Sequence, residues 1–515
     1  MAYGLAAVAR QRPSEIAVTD GDTEWTWPQL NSMVDRLAGL LLAEGIGDGR
    51  RVAVMAENSA YTALAHLAAT FAGASVVPVN FALTAEEVRH ILVDGAVRTV
   101  LCSARTAPIA RAASDSVRVI GWGAAELDGI EALDKILESQ PESEVSELIA
   151  PAAPLYYTSG TTGVPKGVRL PEQMFPGGDS MVEHVRRIAE SPVRSAGRHL
   201  IVGPMHHTGP IGGVRGLCVG TPLVILRKFD AEEVLRLIDR HRIESTMMVP
   251  THFARLLALP AATRARYDIG SVTSIVHTGA ACPVHIKRAM IGWFGPVLRE
   301  AYGSTEVGTV TFIDSREWLA HPGSVGRALP GYEVTVRAAD GTVLPAGERG
   351  LVCVRSTIGA RPSYHNDPDK TRHSYIAEGV FMIGEIGYLD PGGYLFLTDR
   401  ASDMVVSGGV NIYPAESEAV LRTHPGVADV AVIGIPHADL GEQLLALVVS
   451  SEKAAEATEL VDYCRNRLAH YKCPARVEFV ETDLRTGMGK IDKRRLRAGY
   501  LTTHQEGASL REGTP

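Results

Sequence analysis

Apolar residues recur at helical spacing along 26–44, at Leu30, Met33, Leu37, Leu40 and Leu41, then give way to largely apolar runs at 52–55, 75–79 and 97–102, in which Ser75, Arg98 and Thr99 are the polar positions. The first pattern predicts a helix buried on one face, with Thr26 and Gln29 at capping-box spacing and Gly45 as its stop. The runs predict buried strands, because their few polar positions do not recur at every second residue. Helical spacing returns over 61–71, and Thr84 is placed to cap a further helix through 92. Strands and helices alternating in this way predict a parallel sheet covered by helices. The charged stretch 112–149 carries weak strand signals and is expected to cross the surface as a connection.

Past 170 the same grammar continues, with helices over 181–190 and 231–240 and strands at 200–202, 224–226, 245–249 and 274–277. From Gly323 it changes. Short strands at 332–337 and 350–354 flank an Asp340-Gly341 turn, which predicts an antiparallel β module. Beyond 404, strands near 404–407 and 430–433 bracket a helix ending at Thr423, the pattern of a small α+β domain. The predicted fold class is therefore α/β and α+β multidomain: a large N-terminal domain of helix-covered sheets plus a β module, followed by a small C-terminal α+β domain.

Composition narrows the function classes. A chain of 515 residues is longer than one hydrophobic core usually serves. With 51 basic against 59 acidic residues the net charge is −8, which gives no electrostatic reason to expect nucleic acid. The six cysteines (Cys102, Cys218, Cys282, Cys353, Cys464, Cys473) are scattered, without the close pairs of metal sites or disulfide frameworks, so a reducing, cytoplasmic compartment is expected. The first residues lack the basic segment and long apolar core of a signal peptide. The stretch 58–85 holds no Lys, Arg, Asp or Glu, but His66, Pro78 and Asn80 interrupt it. A buried helix and strand explain it without stable membrane insertion.

Candidate chemistry centres on 155–170, Leu-Tyr-Tyr-Thr-Ser-Gly-Thr-Thr-Gly-Val-Pro-Lys-Gly-Val-Arg-Leu. The order predicts strand, loop, strand. Hydroxyls alternating with glycines, Thr158, Ser159, Gly160, Thr161, Thr162 and Gly163, suit a loop whose backbone N–H groups converge on an anion, and Lys166 adds a cation. A Walker A loop it is not, because Pro165 precedes the lysine and Gly167 follows it. This stretch resembles the phosphate-binding signature of the adenylate-forming superfamily, which comprises acyl- and aryl-CoA synthetases, peptide-synthetase adenylation domains and luciferases. Further motifs follow in that family's order, covering about 26–497: Pro204-Met205-His206-His207, Thr278-Gly279-Ala280-Ala281, Tyr302-Gly303-Ser304-Thr305-Glu306, Tyr364-x-Asn366-Asp367-Pro368, 378–390, 397–403 and 485–490.

The resemblance implies an ATP-dependent acid-thiol ligase. It places the ATP phosphates on Thr158 to Lys166, and the nucleotide on Gly279, Ala280, Ala281, Glu300, Tyr302, Gly303, Glu385 and Arg400. Thr305 is implied at the α-phosphate and Glu306 as the Mg²⁺ ligand, while His207, Thr208, Gly213, Gly279 and Gly303 are implied around the acyl group. Lys490 is implied as the catalytic lysine that bridges carboxylate and α-phosphate. Domain boundaries follow as 1–399, a hinge over 400–403 at Ser402, a mobile domain over 404–500 and an unstructured tail over 501–515. Rotation about the hinge would withdraw Lys490 and bring Ser407, Gly408 and Gly409 to a coenzyme A tunnel. The implied partners are a small carboxylic acid and CoA, with a homodimer left open. A carrier-protein thiol in place of CoA and a homologue specialised for the thioester half-reaction are the alternatives. The latter comes from Glu385, which stands where the family pattern has aspartate. Gly209, Gly212 and Gly213 are consistent either with a roomy acid pocket or with packing.

Overall fold

The computed structural model describes residues 4–46, 50–123, 129–141, 145–158, 165–169, 175–191, 197–280, 282–359, 361–400, 403–451, 453, 455–481, 484, 491 and 493–509. The chain folds as two compact units: Met1–Phe81, Ala85–Thr158 and Lys166–Thr398 make the first, and the C-terminal part from Asp399 belongs to the second.

In the first unit, the helix Trp27–Ala43 begins where the capping box sets it. The Thr26 hydroxyl accepts from the Gln29 N–H, and the Gln29 side-chain oxygen accepts from the Thr26 N–H at 2.8 Å. Its buried face, Leu30, Val34, Leu37 and Leu41, shares one core with Leu64, Leu67 and Ala68 of the helix Ala60–Phe71. Beneath them a parallel sheet runs in the order Ser75–Pro78, Arg51–Met55, Val97–Ser103, Arg118–Trp122, Glu131–Ala132. The last two strands and the helix Leu133–Ser139 correct the expected surface connection over 112–149. Val119, Ile120 and Trp122 are buried, in an apolar run too short to stand out among the surrounding charges.

A second, larger sheet carries the candidate site. Its parallel part runs in the order Ile16–Asp20, Leu223–Ile225, His199–Ile201, Ser245–Met248, Ser274–His277 and Leu298–Ser304. Parallel neighbours bring all their carboxyl ends to one rim, where open α/β sheets bind ligands. The sheet then turns antiparallel through Gly308–Asp314 and Ser324–Ala328 into Leu395–Arg400, Val380–Leu389, Gly350–Ser356 and Tyr332–Arg337, the expected β module.

The second unit contains a long antiparallel pair, Val427–His437 with Gly441–Ser450, flanked by Val405–Ser407 and Arg476–Phe479 and packed on the helices Pro414–Leu421 and Ala457–Arg465. Instead of an unstructured tail from 501, a helix spans Lys493–Ser509. Among the described residues no helix is long and apolar enough to cross a membrane, and all six cysteines are free thiols.

Candidate active site

The signature folds as the predicted hairpin. Leu155–Thr158 pairs antiparallel with Lys166–Arg169, and Thr158 sits opposite Lys166 at the loop end. Ser159, Gly160, Thr161, Thr162 and Gly163 lie outside the described residues. The turn containing Tyr364 to Asp367 docks beside the second strand, through a bridge from Val168 to Tyr364 and a hydrogen bond from the His365 N–H to the Gly167 carbonyl at 2.7 Å. That docking assembles a charged group. Asp367 Oδ2 lies 2.8 Å from the Lys166 ammonium while its Oδ1 accepts the Lys370 N–H, capping the helix Pro368–His373. The Tyr364 hydroxyl donates to Glu306 Oε1 at 3.0 Å, and the Lys370 ammonium stands 4.1 Å above the Tyr364 ring. Lys166 holds the Asp367 carboxyl below its usual range, and burial pulls Lys370 down against the opposing charge of Glu306. Two cations and two carboxylates are thus fixed together by one turn.

The remaining motif residues leave the sheet at its carboxyl rim. After His199–Ile201 the chain reaches Gly203, and buried Asn58 pins the segment: its amide donates to the Gly203 and Leu226 carbonyls, and its oxygen accepts the Met205 N–H at 2.8 Å. His207 then stands at the N-cap of the helix Thr208–Arg215, its ring 4.3 Å from that of His206. Surrounding protein pushes the His207 pKa down to about 4, so the ring is neutral near pH 7. Gly279 and Ala280 follow the strand Ser274–His277, while Ala281 lies outside the described residues. Thr305 and Glu306 occupy the turn between Leu298–Ser304 and Gly308–Asp314, and Gly303 sits at the register shift of that pair.

Three expectations need correction or refinement. Glu300, expected at the nucleotide, is only 5% exposed, with its carboxylate paired to the buried ammonium of Lys287, which itself stands 4.8 Å from the Trp318 ring. Burial pushes this lysine down and this glutamate up, and their pairing opposes both shifts. Its charge therefore supports the strand beneath the motif. Tyr302 is half-buried against Val310, Val354 and Phe381, and its hydroxyl donates to Glu385 Oε2 at 2.9 Å. The added methylene of Glu385 thus brings its carboxylate to a phenol. Gly209 and Gly213 are packing glycines, since a Cβ would overlap Met247 at the first and His199 and Ile201 at the second, whereas Gly212 faces open space.

In the second unit Ser407, Gly408 and Gly409 form the tip of a hairpin between Val405–Ser407 and Val410–Ile412. Both glycines have positive φ, +59° and +84°, as a two-residue type I′ turn requires. Arg400 ends the strand Leu395–Arg400, but its side chain, together with Ser402 and Lys490, lies outside what is described. Just beyond them, the Lys493 ammonium is 2.7 Å from Glu418 and 3.6 Å from Asp403, tying the start of the last helix to the first residues after the expected hinge.

Local reading missed Asn58, Lys287 and Lys370, and gave Tyr364 and Asp367 no role. An asparagine opening a long charge-free run was the available signal for the first, and Pro368 after Asp367 for a capped helix.

Residues 5–364 match the model of the AMP-binding enzyme family, and 416–490 that of the AMP-binding enzyme C-terminal domain. The chain is 34% identical to a long-chain-fatty-acid–CoA ligase of Mycobacterium tuberculosis over 94% of each chain, and 32% identical to a feruloyl-CoA synthase of Amycolatopsis over 96% of this chain and 97% of that one. Among solved structures, the amide bond synthetase of Marinactinospora thermotolerans superposes with a TM-score of 0.81 at 29% identity, covering 96% of this chain and 99% of that one. With both family models matched in order across a rim built as described, the chain belongs to the AMP-binding enzyme family, the adenylate-forming enzymes that its motifs resemble.

Proposed function

We infer that the protein is an acyl-CoA synthetase, activating a carboxylic acid with ATP and passing the acyl group to CoA in the cytoplasm. The observation that carries this reading is the group of Lys166, Asp367, Lys370, Tyr364 and Glu306 at the mouth of the signature hairpin. A carboxylate is a poor acyl donor until its oxygen leaves as AMP, so the protein's task is to align the carboxylate with the α-phosphorus and neutralise phosphate charge. Lys166 and Lys370 supply the cations for the departing pyrophosphate. Glu306, already oriented by Tyr364, fits a Mg²⁺ ion held by one carboxylate and substrate phosphates, and that ion would spread phosphate charge when bound. Tyr302 and Glu385 orient the ribose. Neutral His207, at the start of the helix Thr208–Arg215, sits between the acid and the nucleotide and can accept or donate a hydrogen bond without bringing a charge.

Lys490 is assigned to the adenylation step, and the Ser407-Gly408-Gly409 turn to the thiol. A panel of carboxylic acids assayed for pyrophosphate release, and then for thioester on CoA or on a phosphopantetheinylated carrier protein, tests the reading. Pyrophosphate release and a CoA thioester are expected for at least one acid. Release followed by transfer only to the carrier would move the acceptor, and no release with any acid would overturn adenylation.

A further inference from the structure

Behind the helix Thr208–Arg215 lies a pocket of about 10 Å³, the space of roughly one water molecule, where His66, Tyr156, His184 and Arg215 meet in a mostly apolar wall. Tyr156 is 5% exposed and His184 fully buried; the Tyr156 hydroxyl is in hydrogen-bond contact with Arg215, while His184 Nε2 has no hydrogen-bond partner among the described residues. Groups of that kind are normally satisfied when buried.

The hydrogen positions on this wall can be assigned. His184 Nδ1 lies 2.9 Å from the Pro176 carbonyl, which can only accept, so Nδ1 carries the hydrogen. Burial holds that ring near pKa 4, so at neutral pH its Nε2 is a bare acceptor. His66 likewise gives one N–H to the Met205 carbonyl and stays neutral, with a pKa pushed down to about 3. Tyr156 and Arg215 supply N–H and O–H donors. A methyl group would offer nothing to the bare His184 acceptor or to the Tyr156 and Arg215 donors, and a carboxylate, although Arg215 would attract it, would set its lone pairs against that of Nε2. A hydroxyl, both donor and acceptor, satisfies both.

The pocket is walled in part by the helix whose N-cap is His207. Ile211, Val214 and Arg215 follow His207 at helical spacings that keep them near one face, and Arg215 is about 12 Å from His207 along the axis. His66 lies within electrostatic reach of His206 on one side and Arg215 on the other.

We propose that this pocket is the far end of the acid site and takes a hydroxyl carried by the substrate acid on the order of 10 Å from its carboxylate, making the enzyme selective for hydroxylated acids. The proposal rests on the acid-activating reading above.

Calorimetric binding of medium-chain ω-hydroxy acids and of unsubstituted acids of equal length to the full chain, alongside pyrophosphate release, tests it. At the matching length the hydroxy acid should bind about ten- to a hundred-fold more tightly, and Tyr156→Phe should erase most of that preference. That variant also removes the hydroxyl that Arg215 contacts, so thermal unfolding of the variant and its retained affinity for the unsubstituted acid separate a lost preference from a lost fold. No preference at any length, or one that Tyr156→Phe leaves intact, overturns the proposal and leaves the pocket to a structural water. Preferential binding without pyrophosphate release would sustain the pocket and sink adenylation, whereas equal binding and release with every acid would do the reverse.

Discussion

Shortening Glu385 by one methylene, as Glu385→Asp, withdraws its carboxylate by about 1.5 Å. The 2.9 Å hydrogen bond from Tyr302 would stretch to roughly 4 Å, beyond hydrogen-bond reach. A bond to a charged acceptor contributes about 1.5–3 kcal/mol when well shielded, and both residues here are half-buried, so a loss of about 1–2 kcal/mol is expected. If the pair orients the ribose, AMP should bind roughly five- to thirty-fold more weakly. Tyr302→Phe deletes the same bond from its other end and should cost a similar amount. Because one bond cannot be lost twice, the double variant should be little worse than either single one, leaving a coupling energy of about 1 kcal/mol or more. Calorimetric titration of AMP into the four proteins, with thermal unfolding to verify the fold, measures the cycle. Strictly additive losses would refute the coupling. Faster adenylation in Glu385→Asp would refute local compensation and favour an enzyme specialised for the thioester half-reaction.

Lys370→Ala should raise the KM for ATP about ten-fold in pyrophosphate release and leave thioester formation from supplied acyl-adenylate unchanged; an equal effect on both steps would remove Lys370 from the phosphate site. Lys490→Ala should slow adenylate formation by about a hundred- to a thousand-fold while sparing the second step, and parallel loss in rapid-quench assays of both would contradict its role. Gly409→Leu should impair thioester formation selectively, with a modest melting shift because φ there is +84°, and unaltered thioester kinetics in a folded variant would move the thiol path elsewhere. Burial holds His199 and His207 near pKa 4 and His66 near 3, so below about pH 6.5 the unfolded chain takes up protons that the folded chain refuses. Stability is complete above that pH and falls toward pH 4, and a melting temperature flat between about pH 7 and pH 4.5 would contradict this.

The elements that could be read from the sequence were those whose cause is local. Thr26 and Gln29 fix a helix start by touching each other, and the hairpin around Lys166 follows from residues within one short stretch. The group around Lys166 could not be read that way, because Asp367 and Tyr364 lie about two hundred residues further on and become its neighbours only when their turn adds to the hairpin. Glu300 shows the opposite failure. Its position in a motif suggested ligand chemistry, while the residue that decides its role, Lys287, lies on the preceding helix Val284–Phe294, beneath the strand. Arg118–Trp122 was lost because a buried strand in a parallel sheet needs only a few apolar positions, too few to register among charges. Gly209 and Gly213 carried no local sign of Met247 or His199.

The pairing of Lys287 with Glu300 also constrains how descendants of this chain can change. Losing either partner strands a charge in the interior, a destabilisation of about 3–5 kcal/mol and a large part of the margin by which a domain stays folded. Replacing both with well-packed apolar residues is close to neutral. The two positions therefore sit on separate peaks joined by a poorly folding intermediate. Lineages should inherit them as a unit, and a laboratory library that mutates them singly would discard variants which, taken in pairs, fold well.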